Sequence, residues 1–239
     1  MNRKFSGVPL YVYAIVIVLL FAVTFASSHA ITVLSQNAPI IHDHCIIIDA
    51  GHGGVDGGAT SCTGVLESQL NLEIATRLND LCHLLGLNTR MIRTTDSSVY
   101  TEGKNIAQKK ISDLKERVRI VNTTQNAVLV SIHQNYFTQS GYWGAQVFYG
   151  GSDSSKNFAK SMQTILVETL NQGSNRKAKP ASGIYLMEHI RCPGILIECG
   201  FLSNPKEEAK LRSSEYQKKL CAVIGTACSQ YLQQDSHPS

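Results

Sequence analysis

Three apolar segments of this chain end in side chains that can do chemistry. Cys45-Ile46-Ile47-Ile48 runs into Asp49, Ala50, Gly51 and His52, followed by Gly53-Gly54. Ala127-Val128-Leu129-Val130 runs into Ser131, Ile132, His133, Gln134 and Asn135, and Ile195-Leu196-Ile197 runs into Glu198, Cys199 and Gly200. A further acid, Glu67, follows Leu66 where an amphipathic period begins. Two neutral imidazoles and one carboxylate, with a water, make a common catalytic zinc shell. A second carboxylate beyond the ligands then serves as general base. Glu67 and Glu198 are the candidates for those two roles, and spacing alone does not say which is which. Glycines around His52 remove side-chain bulk, so an ion and a substrate can come close to the backbone.

Each residue also has a plainer reading. A lone histidine at a strand end is more often hydrogen-bonded structure than a ligand, and Glu67 could be a helix N-terminal acid favoured by the dipole. Glu198 is harder to dismiss, because a carboxylate after three apolar residues is costly unless paired, metal-bound or functional. Asp49 is placed to orient His52, although an acid closing a strand before a glycine turn is commonplace and the plain reading is preferred. His189 is the main rival ligand, but Arg191 and Pro193 beside it suggest a loop. His42 and His44 fall in a linker, and His83 sits on a helix beside Cys82. Arg117 and Arg119 could face anionic substrate groups, yet two charges on a helix usually form a solvated face.

These groups need a frame to bring them together. Candidate strands fall at 45–49, 88–93, 127–132, 144–149, 183–188 and 194–198, and their near-continuous apolar character suggests strands covered on both faces. Between them, Leu66, Leu70, Ile74, Leu78, Leu81 and Leu85 step at helical spacing, with Gly86 where a C-terminal cap belongs. Leu114, Val118 and Val121 form a second stripe, Phe158, Met162, Ile165 and Thr169 a third, and Tyr216, Leu220, Val223 and Ala227 a fourth. Residues 95–110 show no period and read as a long loop. Strands alternating with helices imply a single α/β domain, a mostly parallel twisted sheet of about six strands flanked by helices on both faces. In such sheets sites gather at the carboxyl ends of the strands, where the three polar segments lie.

The first thirty residues stand apart. Arg3 and Lys4 precede an uncharged run from Leu10 to Ala26, and Ser28-His29-Ala30 offers a small-x-small cleavage site. Residues 1–30 therefore read as a signal peptide or membrane anchor, 31–44 as a linker and 45–234 as the catalytic domain, which places that domain outside the cytoplasm. Removing Arg3 and Lys4 from the 22 bases leaves the remainder nearly balanced against 18 acids, with no basic stripe for nucleic acid. The seven cysteines contain no CxxC pair, hence no zinc knuckle or redox motif. A reducing habitat would reconcile free thiols with export.

Taken in order, IIIDAGHGGVDGGA, LESQLNLEIATRL, SIHQN and ILIECGFLSNPKEEAKL resemble the zinc-dependent N-acetylmuramoyl-L-alanine amidases over about residues 45–232. The stretch KKISDLKERVRIVN, the bare catalytic domain and the N-terminal apolar segment make the chain most similar to the spore-cortex members. The resemblance implies that His52, Glu67 and His133 bind Zn2+ and that Glu198 is the catalytic acid/base. It implies a peptidoglycan substrate and a role in muramic δ-lactam formation in spore cortex. It also places Asn135 near the site, whereas Tyr136 replaces the small residue of relatives. A retained membrane segment and an accessory protein partner both stay open. The competing readings are a zinc metallopeptidase with the same ligands, a silent peptidoglycan-binding module, which the retained Glu198 argues against, and an enzyme that needs a partner to hold zinc or substrate.

Overall fold

The computed structural model describes residues 43–235. The apolar run 10–26, the cleavage site and His42 lie outside them; among the described residues, no helix is long and apolar enough to cross a membrane. Six strands make one sheet: β1 (Cys45–Ala50), β2 (Thr89–Met91), β3 (Ala127–Asn135), β4 (Gln146–Tyr149), β5 (Lys179–Pro180) and β6 (Gly194–Phe201). Their order is β2-β1-β3-β6-β4-β5, and every neighbouring pair is parallel except β4 with β6. The helices are α1 (Glu67–Leu84), α2 (Ile106–Thr123), α3 (Asp153–Thr169), α4 (Tyr185–His189), α5 (Pro205–Arg212) and α6 (Ser214–Asp235).

Strand alternation divides the core. Ile46, Ile48, Val130, Ile132 and Ile197 pack with Leu70, Ile74, Phe158, Met162 and Leu220 from α1, α3 and α6. Ile47, Leu129 and Leu196 face the other way, onto Ile120, Val121, Leu186 and Met187 of α2 and α4. Burial on both faces explains why the strands read as unbroken apolar runs. The sheet is thus the expected one, with helices on both faces. Gly86 closes α1 as expected: at φ +74° its N–H donates to His83 O, and Leu87 N–H reaches Cys82 O, the bond pair of a Schellman cap. All seven cysteines are free, with Cys82 and Cys221 buried as small apolar groups.

Two elements differ from expectation. Residues 183–188 are not a strand: Gly183 turns at φ +78°, its N–H donates to Glu188 Oε1 at 2.6 Å, and α4 follows. The edge of β4 is taken by Lys179–Pro180 instead. A short apolar run fits a buried helical turn as well as a strand, which is why periodicity misled. The loop expected over 95–110 ends early, because Asn105 caps α2 by accepting from Gln108 N at 2.9 Å. The inward face of α2 carries Ser112, Asp113 and Arg117, so its N-terminal half shows no apolar stripe.

Candidate metal centre

β1 ends at Ala50, and the chain turns sharply through Gly51 into His52, which adopts φ +60°. A side-chain-bearing residue is uncommon there and persists only when its surroundings over-determine it. Two buried arginines supply that constraint. Arg93 donates to Ala50 O (2.8 Å), Gly51 O (3.0 Å) and Ser68 O (2.8 Å). Arg117 donates to Ala50 O (3.1 Å) and His52 O (2.7 Å). Arg117 is itself held by Asp49 and, at 2.6 Å, by Asp113. Burial opposes ionisation of Asp49, but Arg117, His133 and the Ser131 hydroxyl outweigh it and hold the carboxyl below its ordinary pKa. Arg117 is therefore structural rather than part of a solvated face, while Arg119 is exposed and pairs with Glu116 at 2.6 Å. Asp49 reaches the His52 backbone through Arg117 and makes no bond to the imidazole.

The side chain that orients His52 is Asp56, whose Oδ2 accepts from His52 Nδ1 at 2.9 Å and is also paired with Lys110 Nζ at 3.1 Å. Nε2 of His52 is thereby aimed at Glu67 Oε2, 3.2 Å away. Glu67 opens α1 and is buried, its Oε2 accepting from Ala59 N (3.0 Å) and its Oε1 from Gln134 N (3.2 Å), Asn71 Nδ2 (3.2 Å) and His133 Nδ1 (3.0 Å). Burial lowers the pKa of His52, but the Glu67 and Asp56 carboxylates more than offset it and raise it. Burial likewise raises that of Glu67, yet His133 and His52 hold it far below the carboxylate range. One nitrogen from each of His52 and His133 and one Glu67 oxygen lie within 4.8 Å of one another. Two glycines make this approach possible: a Cβ on Gly51 would stand 2.2 Å from the His133 ring, and one on Gly58 (φ +69°) 2.6 Å from Glu67 Oε2. The donor set, two imidazoles and a carboxylate, with Asp56 behind His52 and Ala59, Asn71 and Gln134 behind Glu67, suits a divalent metal ion.

Glu198 lies beside His133 in the β3–β6 register. Its Oε2 is buried and has no hydrogen-bond partner among the described residues. Burial, with the Glu67 charge adding and His133 opposing, raises its pKa to about 7. A shift in the register separates His133 from Asn135, whose carbonyl receives Leu202 N at 2.8 Å. His189 stays outside the cluster; it is exposed, stacked 3.9 Å from Tyr185, with Nδ1 bonded to Tyr185 O at 2.8 Å. His83 is exposed against Thr89 Oγ1 (2.7 Å), and His44 immediately precedes β1. Asp56 and Arg93 went unremarked in the sequence, although Arg93 closing an apolar segment was a signal of the same kind as Glu198.

A mostly parallel α/β sheet thus brings together two imidazoles and two carboxylates, His52 after β1, His133 on β3, Glu198 on β6 and Glu67 at the start of α1, of which His52, Glu67 and His133 could hold a metal ion. Residues 46–230 match the model of the N-acetylmuramoyl-L-alanine amidase family, Amidase_3, and the chain belongs to that family and is an amidase of this class. It is 37% identical over 195 residues to the germination-specific N-acetylmuramoyl-L-alanine amidase of Bacillus subtilis, covering 81% of each chain. The CwlD amidase of Clostridioides difficile, solved in complex with the GerS lipoprotein, superposes with a TM-score of 0.76 at 39% identity, over 80% of this chain and 99% of that one. An N-acetylmuramoyl-L-alanine amidase from Clostridium difficile 630 superposes at 0.70 and 30% identity, over 80% and 98%.

Proposed function

We propose that this chain uses zinc to hydrolyse the amide between N-acetylmuramic acid and L-alanine in peptidoglycan, in muramic δ-lactam formation in spore cortex and in wall remodelling. The observation that carries the reading is the buried Oε2 of Glu198, without a hydrogen-bond partner among the described residues, beside the His52–Glu67–His133 cluster. A buried acid without a partner is an expense for a binding module and a working part for a hydrolase. His52, Glu67 and His133 hold the ion, and Asp56 fixes His52 with Nε2 forward. Zinc bound there supplies Lewis acidity toward water and the amide carbonyl. Glu198, with a pKa near neutrality, takes a proton from the attacking water and returns it to the departing L-alanine nitrogen. The similarity to the germination-specific amidase and to CwlD supports the cortex assignment.

Mass spectrometry of a peptidoglycan digest by the zinc-loaded protein tests this. Stem peptides with a free alanine N-terminus are expected; cuts confined to the stem would make the protein a metallopeptidase. The complex of CwlD with a lipoprotein supports an accessory lipoprotein for this chain as well.

Residues 1–30 are proposed to export or anchor the domain 45–234 through the linker 31–44. N-terminal sequencing of the protein from its own cells checks this. A start at Ile31 means cleavage, and an intact N-terminus in the membrane fraction means an anchor. An intact N-terminus in the cytosol would refute export.

A further inference from the structure

Beyond Glu198, on the side away from β1, a second cleft opens. Its walls are Tyr142, Trp143, Gln146, Arg176, Lys177 and Lys179, and no acidic side chain lines it. Gln146 stands opposite Glu198 in the antiparallel β4–β6 pair. The cleft therefore begins one strand spacing, about 5 Å, from the candidate acid–base group. Arg176 is fixed in place: Nε donates to Trp143 O at 2.9 Å, Nη1 donates to Gln146 Oε1 at 3.2 Å, and the guanidinium lies 4.8 Å from the Phe201 ring centre. Lys177 and Lys179 are exposed beside it.

Two of the lining residues are aromatic: Tyr142 and Trp143 leave 44 and 41% of their surfaces in solvent, and the exposed Phe137 packs on Tyr142. The loop that carries them is braced. Phe137 meets Tyr142 edge-on at 4.8 Å, Phe137 N donates to Ser203 Oγ (3.1 Å), Asn204 Nδ2 donates to Tyr142 O (3.0 Å) and Gly144 N donates to Glu207 Oε2 (2.8 Å). Exposed rings on a braced backbone, in one cleft with three cations, form a recognition surface for a ligand with apolar backbone and negative groups.

The scissile amide divides the substrate into an uncharged N-acetylated glycan and a peptide with free carboxylates beyond L-alanine. We propose that the cleft of Tyr142, Trp143, Arg176, Lys177 and Lys179 seats the stem peptide and pairs its cations with those carboxylates. This rests on the amidase reading of the neighbouring centre. A peptide advancing about 3.5 Å per residue reaches Arg176 from Glu198 within roughly two or three residues.

The test is calorimetric binding of a stem tripeptide beginning L-alanyl-D-glutamyl to the zinc-loaded full chain in mild detergent. The peptide is used as the free acid and with its carboxylates amidated. The double variant Lys177→Gln, Lys179→Gln alters exposed positions outside the core, and thermal unfolding confirms its fold. It is expected to bind the free acid roughly tenfold more weakly, through two exposed charge pairs. The amidated peptide should bind both proteins equally weakly, and added salt should erase the difference. With intact muropeptide the same variant should raise KM and leave kcat nearly unchanged. Equal affinity of the two proteins for the free acid overturns the proposal and leaves the cleft to a protein partner. Carboxylate-dependent binding without amide cleavage by the wild type would sustain the subsite and refute the amidase reading.

Discussion

Glu198→Gln is expected to keep its fold and its zinc while amide hydrolysis falls on the order of a hundredfold to ten-thousandfold, the usual contribution of a general acid–base group. The expectation follows from what Glu198 does not touch. Its Oε2 makes no hydrogen bond among the described residues, so an amide of the same shape breaks nothing that holds β6 in register. The neighbouring core is apolar, with Ile195, Leu196 and Ile197 buried, and exchanging an ionisable group for a neutral one there does not add a desolvation cost. The three facing ligand atoms belong to His52, Glu67 and His133, so the metal does not depend on Glu198. What the variant lacks is a carboxyl with a pKa of about 7, which near neutrality can both accept and return a proton. Release of stem peptide and zinc content are to be measured on the same sample. Near-normal turnover would remove Glu198 from the mechanism, and joint loss of zinc and activity would make it a ligand and reopen the role of Glu67.

The strands that carry the centre were legible because β1, β3 and β6 are buried on both faces and read as apolar runs, so the polar residues that interrupt them, Asp49, Ser131, His133 and Glu198, stand out. What failed to show was polar structure facing inward. Arg117 sits four residues after Asp113, and that spacing on α2 signalled an internal ion pair. Beside the exposed Arg119 it read as surface instead. Breaking a buried pair of this kind typically costs about 3–5 kcal/mol, so the His52 turn hangs on a group that composition alone treats as solvated. Asp56 was obscured differently. It lies among glycines with no period, and only the turn at Gly53, whose N–H donates to Asp56 O at 2.7 Å, brings its carboxylate onto His52. The aromatic loop following β3 was noticed only at Tyr136, because its other members acquire meaning through Phe201 and Arg176, distant in sequence.

His133→Ala should lose zinc where His189→Ala does not. Both imidazoles follow or end an element of the same fold, and both were candidate ligands by type. Their surroundings separate them. His133 directs Nδ1 at Glu67 Oε1 from 3.0 Å, its ring centroid lies 5.0 Å from that of His52, and Gly51 leaves it room that a single Cβ would fill. His189 spends Nδ1 on Tyr185 O and its ring face on the Tyr185 ring. Removing a partner that merely orients a ligand costs roughly 10–100-fold in metal affinity. Removing one of three ligands outright should cost more, since two protein donors no longer fix the ion's geometry. Zinc content of the two purified variants, before and after dialysis against a limiting chelator, gives the comparison. Repeating it with excess zinc distinguishes a weakened site from an abolished one. Circular dichroism on both samples guards against a loss of fold. Comparable zinc loss from both variants would overturn the ligand set, and full retention by His133→Ala would place the ion elsewhere.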